Sequence, residues 1–577
     1  MSEAALDFPL VPGYISGERA VFWGGRVIAR PAVRGWPSTT RKGLRMAAQG
    51  QAVGVSPSSE MISEKIAPVL VARTLGPFDM VVIFVAIVLF INNSAGVQFA
   101  GPSVFIFWIL AILTFLVTGA FVTAQLGRMF PEEGSLYVWT HKVLGPFWGF
   151  FAGFVAWWPG PISLVFIGIL VANYLQQFAA FFTCSGKPCA ILTENWQMGL
   201  VVLAVMWFSA TMSYLKMRVT QNYVNVQFWA YAAVIFLIGL SGVIWLLKGH
   251  GTATSFSTGW NPFRTDNGKA ALGLPANLTF FSFTILAMLG IETPLNMGVE
   301  LKSGNEEKSI RTYLFWGVII VAFAYLWATW GNMVVIKAGG ANGTTGGMET
   351  IGIAIGKWAG AIASLVMAWV VLTVAVVYNY SFGRLLFVSG MEKRLPHQIG
   401  RVNKNKVPAN AITLQTAIST ILTVVIFFVL GTGGSDPYKA FYILYAGVTI
   451  VWCISSALLF LDIFFAKRAE PELFERERRI SLGWLYVCGL VGFVVNILAV
   501  LFIFVGSWYP AGFPKLLVWN EWMIAFTVVS VAAGIIIYVV SQSARHGQTE
   551  AQMVDQVAVE VGADVATVEA THPHPAD

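Results

Sequence analysis

A carboxylate, Glu292, stands near the middle of the apolar run from Asn277 to Ser303, NLTFFSFTILAMLGIETPLNMGVELKS. An ionisable side chain at the centre of a membrane helix costs about 2.5 to 3.5 kcal/mol, so it normally faces a polar cavity and has a task there. Gly290 lies two residues before it and Pro294 two after. Both residues weaken helical hydrogen bonding, and the segment is therefore expected to be a helix broken beside its charge. A second interruption falls in PFDMVVIFVAIVLFINNSAGVQFAGPS, where Asn92, Asn93, Ser94, Ala95 and Gly96 separate apolar stretches. Taken alone, this break reads as small-residue packing against a neighbouring helix. Two interrupted helices in corresponding positions of two halves point instead to the binding site of a transporter built from inverted repeats.

Glu292 admits three chemical readings. It could take up a proton and couple it to gating, its acidity weakened by burial. It could be a fixed brace accepting from Asn92, Asn93 or Tyr378, or it could bind a cationic substrate directly. All three need the carboxyl to face polar groups from other helices.

The elements that would position these residues are legible from composition. Of 577 residues, 56% are hydrophobic and 11% charged, against about 25% charged in soluble domains. Apolar runs of about 20 residues, each enough to cross roughly 30 Å of hydrocarbon, recur about twelve times. The fold class is an all-α polytopic membrane protein. Residues 1–76 read as a disordered cytoplasmic tail without a signal peptide, with translation from Met46 or Met61 as an alternative. The first five spans occupy 77–247, the next five 277–466 and two more 482–541, before a cytoplasmic tail at 542–577.

If the N-terminus is cytoplasmic, the inner loops carry more than twice as many Lys and Arg as the outer loops. The positive-inside rule then places both termini in the cytoplasm and the chain in the cell membrane. That bias accounts for most of the formal net charge of +7 without a nucleic-acid partner. Cys453 and Cys488 read as small core residues, while Cys184 and Cys189 could be a short disulfide or free thiols. Trp157, Trp158, Trp260, Trp508, Trp519 and Trp522 fit an interfacial belt. No apolar span carries metal-ligand spacing and no GxxxxGK[ST] loop occurs, so neither an enzyme nor a cofactor is expected.

Four stretches in order resemble the amino acid-polyamine-organocation superfamily of secondary transporters. They are Ser94-Ala95-Gly96, AQLGRMFPEEGSLYVWTHKVLGPFWGFFAGF (124–154), FFSFTILAMLGIETPLNMGVELKS (280–303) and YNYSFGRLLFVSGMEKRLPHQIGRVNKNKVPANAI (378–412). The resemblance implies a five-plus-five inverted-repeat core with helices one and six unwound and two helices appended. Amides at Ser94, Ala95 and Gly96 would then hold a substrate carboxylate, and carbonyls around Leu286, Leu289, Gly290 and Ile291 its ammonium. The family's aromatic gate in helix six aligns with Leu286, which widens the pocket or moves the gate elsewhere. Tyr231 falls where some proton-coupled relatives carry an ammonium.

Two charge contacts at the inner face are also expected. Glu300 and Lys302 read as solvated loop charges or as partners of the basic loop at 393–406, and Arg384 as a tie to Asp79. The function implied is secondary transport of an amino acid or related amine through the lipid bilayer. Proton symport and exchange both remain open, a channel or a receptor of transporter ancestry is the rival, and nothing fixes an oligomeric state.

Overall fold

The computed structural model describes residues 61–184, 191–264, 273–430, 437–545, 550–564 and 567–568. Ten of the described helices are long and apolar enough to cross a membrane. The first of them, Pro77–Met129, has 53 residues and is two passes in one run. They divide at Gly101, whose φ of +62° and ψ of −155° form a conformation open essentially only to glycine. The sixth pass is not among the ten because its regular helix, Thr279–Leu286, is short. With both taken into account the passes among the described residues are twelve, in line with the count from composition: 77–103, 104–129, Pro146–Thr183, Asn195–Ser213, Met217–Leu247, 276–300, Glu306–Val335, Lys357–Met391, Ala409–Val429, Pro437–Ala469, Leu482–Ile503 and Leu516–Ser541.

Passes three and eight run along one another, pass seven packs on passes one and five, and pass ten on pass eleven. Small residues set the approach. A Cβ on Gly331 of pass seven would strike the carbonyl of Ile238 in pass five and lie 2.6 Å from Gly239 Cα, so the two backbones touch as small-residue interfaces allow.

Both breaks are present, but they differ in form. Helix Pro77–Val88 ends where Leu89 turns extended at ψ 98°, and a short helix resumes over Asn93–Gly96. Pass six does not resume as an α-helix. After Leu286 the chain holds only the 3₁₀ turns Thr293–Asn296 and Gly298–Glu300. Gly290 at φ +99° breaks the helical path, Pro294 lacks an amide donor, and Gly298 lies against the carbonyls of Pro131 and Glu132, 2.5 to 2.6 Å from where a Cβ would stand.

Near its Lys- and Arg-rich end the bundle closes around a buried charge. Arg384 of pass eight is 0% exposed and binds Glu300 through Nη2 at 2.6 Å and Nε at 2.7 Å. Its Nε is also 3.5 Å from Glu133, in the loop after pass two. Glu300 is therefore neither a solvated loop charge nor a partner of the basic loop. Arg384 does not tie to Asp79 either. Asp79 accepts from the Gly76 amide, Arg218 and Asn225 at 2.7 to 2.8 Å, so nearer donors from its own helix cap and pass five satisfy it. Lys302 is exposed, as expected of a loop charge.

Other expectations change with burial. Trp157, Trp508 and Trp519 are interior residues that donate to Gln415, Thr279 and Ile503; Trp260 and Trp522 are exposed. The predicted N-terminal tail reaches too far, since Ile62–Leu70 is a helix whose Ile62, Ile66, Ala67 and Leu70 form one buried stripe. Glu550–Val561 in the predicted C-terminal tail is helical too, and packs on Ile62–Leu70. Cys453 and Cys488 are buried free thiols. Cys184 is disulfide-bonded, and Cys189 lies outside the described residues.

Two expectations follow from the buried charges. Arg384→Gln leaves two buried carboxylates without their cation and is expected to destabilise the fold by about 3 to 5 kcal/mol. The readout is a lower thermal unfolding midpoint, partly restored by adding Glu300→Gln. Burial first, and then the charge of Glu300, push the Glu133 carboxyl well above its usual range against the pull of Arg384. The unfolded chain gives up this proton near pH 4.3, so the folded state loses stability as pH rises from there through the raised value. Glu133→Gln is expected to flatten that decline in midpoints measured across pH, and an unchanged slope counts against the assignment.

Candidate functional site

The break in pass one exposes backbone groups from Ile87 to Asn92, and three tyrosines from other passes meet them. Tyr378 of pass eight donates to the Ile87 carbonyl at 2.9 Å. Tyr325 of pass seven donates to the Val88 carbonyl at 3.1 Å and accepts from the Phe90 amide at 2.9 Å. Tyr231 of pass five donates to the Leu89 carbonyl at 2.6 Å and accepts from the Ile91 amide at 3.0 Å. A hydroxyl can donate and accept at once, so each of these two rings spans the gap that a missing helical turn would have filled. Tyr378 is thus engaged with pass one and does not brace Glu292. Tyr231 fills its expected position with a backbone clamp in place of an ammonium.

The amides beyond the break are also occupied. Ser94 donates to the Ile91 carbonyl at 3.0 Å, and Ala95 and Gly96 donate to the Asn92 carbonyl at 3.0 and 3.1 Å. The expectation that these three amides stand free for a carboxylate is not met, because the short helix has already closed its first turn. Asn93 faces pass ten, where its Oδ1 accepts from Tyr445 at 2.6 Å. It also accepts from Asn92 at 3.3 Å, while its Nδ2, with the Tyr325 side chain beside Asn93, makes no hydrogen bond of good geometry among the described residues. The Ser94 hydroxyl donates to the Ile91 carbonyl at 2.7 Å and accepts from Asn332 at 3.0 Å.

Pass six supplies the opposite chemistry. Gly290 lets pass one and pass ten close in, since a Cβ there would lie 2.8 Å from both Ile87 and Trp452. The carbonyls of Leu286, Gly290 and Ile291 are taken by the Leu289 amide, the Thr293 amide and the Tyr313 hydroxyl. Those of Ala287, Met288 and Leu289 accept no hydrogen bond among the described residues. Glu292 is 2% exposed. Its Oε1 accepts a long 3.4 Å bond from its neighbour Thr293, the indole of Trp452 faces the carboxyl, and neither Oε2 nor that indole N–H makes a hydrogen bond of good geometry among the described residues. Asn92 and Asn93 make no hydrogen bond to it, so the brace expected from them is absent.

An aromatic layer covers the breaks on the side away from the basic end. Phe283 lies 4.6 Å from Trp508 and 5.9 Å from Tyr445 between ring centres, and its ring edge rests on Gly96. Phe283 stands one turn before Leu286 and thus provides the aromatic cover that Leu286 lacks. Beyond the layer lies a cavity of about 750 Å³, lined by Asn173, Gln177, Glu194, Asn342, Tyr442 and Trp508 among others. Tyr325, Phe283 and Tyr445 escaped sequence reasoning. Aromatic residues inside apolar passes give no signal of their own there, although a tyrosine buried in an apolar pass needs a partner for its hydroxyl.

A family profile described as amino acid permease matches residues 75–535. The probable agmatine/putrescine antiporter AguD of Lactococcus lactis is 23% identical over 301 residues, which is 51% of this chain and 59% of its own. A probable polyamine transporter of Arabidopsis thaliana is 23% identical over 404 residues, covering 67% of this chain and 70% of its own. The inner membrane transporter YjeM of Escherichia coli is 22% identical over 457 residues, covering 73% and 87%. The profile takes in both breaks, the tyrosines that clamp them and the aromatic layer above, and the chain accordingly belongs to the amino acid permease family of the amino acid-polyamine-organocation superfamily, a family of membrane transporters and not of enzymes.

Proposed function

We propose that this permease carries a small cationic amine, such as a diamine or polyamine, by alternating access across the cell membrane. One observation carries this reading: the site offers more open acceptors than donors. Among the described residues the carbonyls of Ala287, Met288 and Leu289 accept no hydrogen bond and one oxygen of Glu292 has only the Trp452 indole beside it, while the amides of Ser94, Ala95 and Gly96 are spent within their own turn. The donors left over, Asn93 Nδ2 and the Trp452 indole, are neutral. An ammonium satisfies such a set, whereas a carboxylate would have to displace internal bonds. The names of the Lactococcus and Arabidopsis relatives agree with an amine cargo. An amino acid is the second reading, supported by the family's own description.

In this scheme the polar cavity of about 750 Å³ collects substrate on the outer side, and the layer of Phe283, Tyr445 and Trp508 parts to admit it. The basic end, with Lys393, Arg394, Arg401, Lys404 and Lys406, faces the cytoplasm, together with both chain ends. Glu292 binds the substrate ammonium, and protons compete for the same carboxylate. Exchange of one amine for another and antiport against protons are both compatible with one shared acidic group.

Counterflow in proteoliposomes tests the carrier. Unlabelled putrescine or agmatine inside the vesicle is expected to accelerate entry of the labelled compound, and failure to do so for every amine and amino acid tried favours a channel or receptor. Glu292→Gln is expected to lower amine uptake at least about tenfold, as loss of a charge-assisted bond implies. The variant should also lose the decline in uptake at acid pH. Unchanged uptake with an unchanged pH profile removes Glu292 from the mechanism.

A further inference from the structure

At the basic end, the chain turns sharply after pass eight, where Lys393 has φ +52°, and leaves a recess apart from the two breaks. We propose that the recess between this turn, the end of pass twelve and the C-terminal helix holds the phosphate of an anionic phospholipid from the adjoining leaflet. The recess has a volume of about 630 Å³, and its lining includes Lys393, Arg394, His397, Ile536, Val540 and Ser541.

Arg394 makes this a built site and not a patch of surface charge. Its residue is only 5% exposed, yet no carboxylate among the described residues reaches ion-pair distance of it. The guanidinium rests 4.4 Å above the ring of Tyr538, and Nη1 makes one long 3.4 Å bond to the Ser541 hydroxyl. Its Nε has no acceptor. A cation buried without a counter-charge is costly, and a guanidinium fork matches phosphate oxygens in geometry and charge. Glu560, which also lines the recess, stands 3.7 Å from His397. With Lys393 and Arg394 against this one acid, the recess keeps an excess of one positive charge while His397 is neutral, which suits a phosphodiester.

The remaining wall favours lipid over free phosphate. Ile536 and Val540 are 60% and 67% exposed on pass twelve, beside the cationic turn. A phosphate seated on Arg394 would therefore leave its glycerol ester next to an apolar surface already turned to the bilayer. Basic recesses at the cytoplasmic ends of membrane helices bind lipid headgroups by this combination. The C-terminal helix helps to complete the recess, with Gln556 accepting from Lys393 at 2.6 Å.

The test uses the full chain in nanodiscs of phosphatidylcholine alone or mixed with phosphatidylglycerol. Thermal unfolding midpoints and lipid retained in native mass spectra are the readouts. Wild type is expected to gain stability from phosphatidylglycerol and to retain it. Arg394→Gln should retain at least about tenfold less, and Arg394→Lys should recover part. If the Arg394 variants do not accumulate, Lys393→Gln carries the test, with reduced retention and an unaltered midpoint in phosphatidylcholine. Equal retention by wild type and variants overturns the proposal. Equal protection by inorganic phosphate in phosphatidylcholine discs overturns the lipid assignment in favour of a soluble anion.

Discussion

Unwinding a helix inside hydrocarbon leaves amide and carbonyl groups that lipid cannot satisfy, and every viable membrane protein must answer them from within. Here the answer in pass one is three tyrosine hydroxyls, from passes five, seven and eight. Two of them donate to one backbone group and accept from another, so the break is held by side chains whose own burial demands a partner. The constraint works both ways. Tyr231, Tyr325 and Tyr378 are each almost wholly buried, and a continuous helix in pass one would leave their hydroxyls stranded. The break and its clamps are one feature shared among four passes.

The break in pass six is left less complete. Residues 287–292 are clamped on one side by the Tyr313 hydroxyl at Ile291, while three carbonyls and one carboxylate oxygen stay open. The same physics that closes pass one leaves pass six incomplete, with acceptors that a cation would satisfy. Further toward the basic end, Arg384 fixes the tail of pass six through Glu300 and, through Glu133, the loop after pass two. The open acceptors therefore sit between a tightly held anchor on one side and an aromatic layer on the other.

Much of this was legible in the sequence because the signals were large. Glu292 is conspicuous among apolar neighbours, and Asn92 to Gly96 interrupt a strongly apolar pass, so both breaks are found to within a few residues, although in pass one the unwound stretch is 89–92 and Asn93–Gly96 is the resumed helix. The number of passes followed from apolar length alone. What stayed hidden was partnership. Arg384 was placed near Asp79 because both lie toward the same end of their passes, but the register that brings Glu300 and Glu133 to it depends on the irregular path after Gly290. Likewise Trp157, Trp508 and Trp519 look like belt residues by depth, and only packing shows that they face inward. Tyr325 carried no mark that separates a backbone clamp from an ordinary core aromatic.

Clamping by hydroxyls also bears on how such a site can move. A tyrosine hydroxyl that leaves a carbonyl in this interior must find another acceptor, because a buried unpaired donor costs about 1 to 3 kcal/mol. Rearrangement of pass one is therefore expected to swap partners in steps and not to open the break freely, and the conformations available are few. A ligand shifts the balance among them only through a difference in affinity between states. The open carbonyls and Glu292 on pass six are where such a difference can arise, since a bound cation would give them acceptor-to-donor contacts that they lack among the described residues, whereas the clamped groups of pass one would gain little from any ligand. On the proposed reading, coupling between substrate and gating would be concentrated in pass six, with pass one as the clamped element against which it acts.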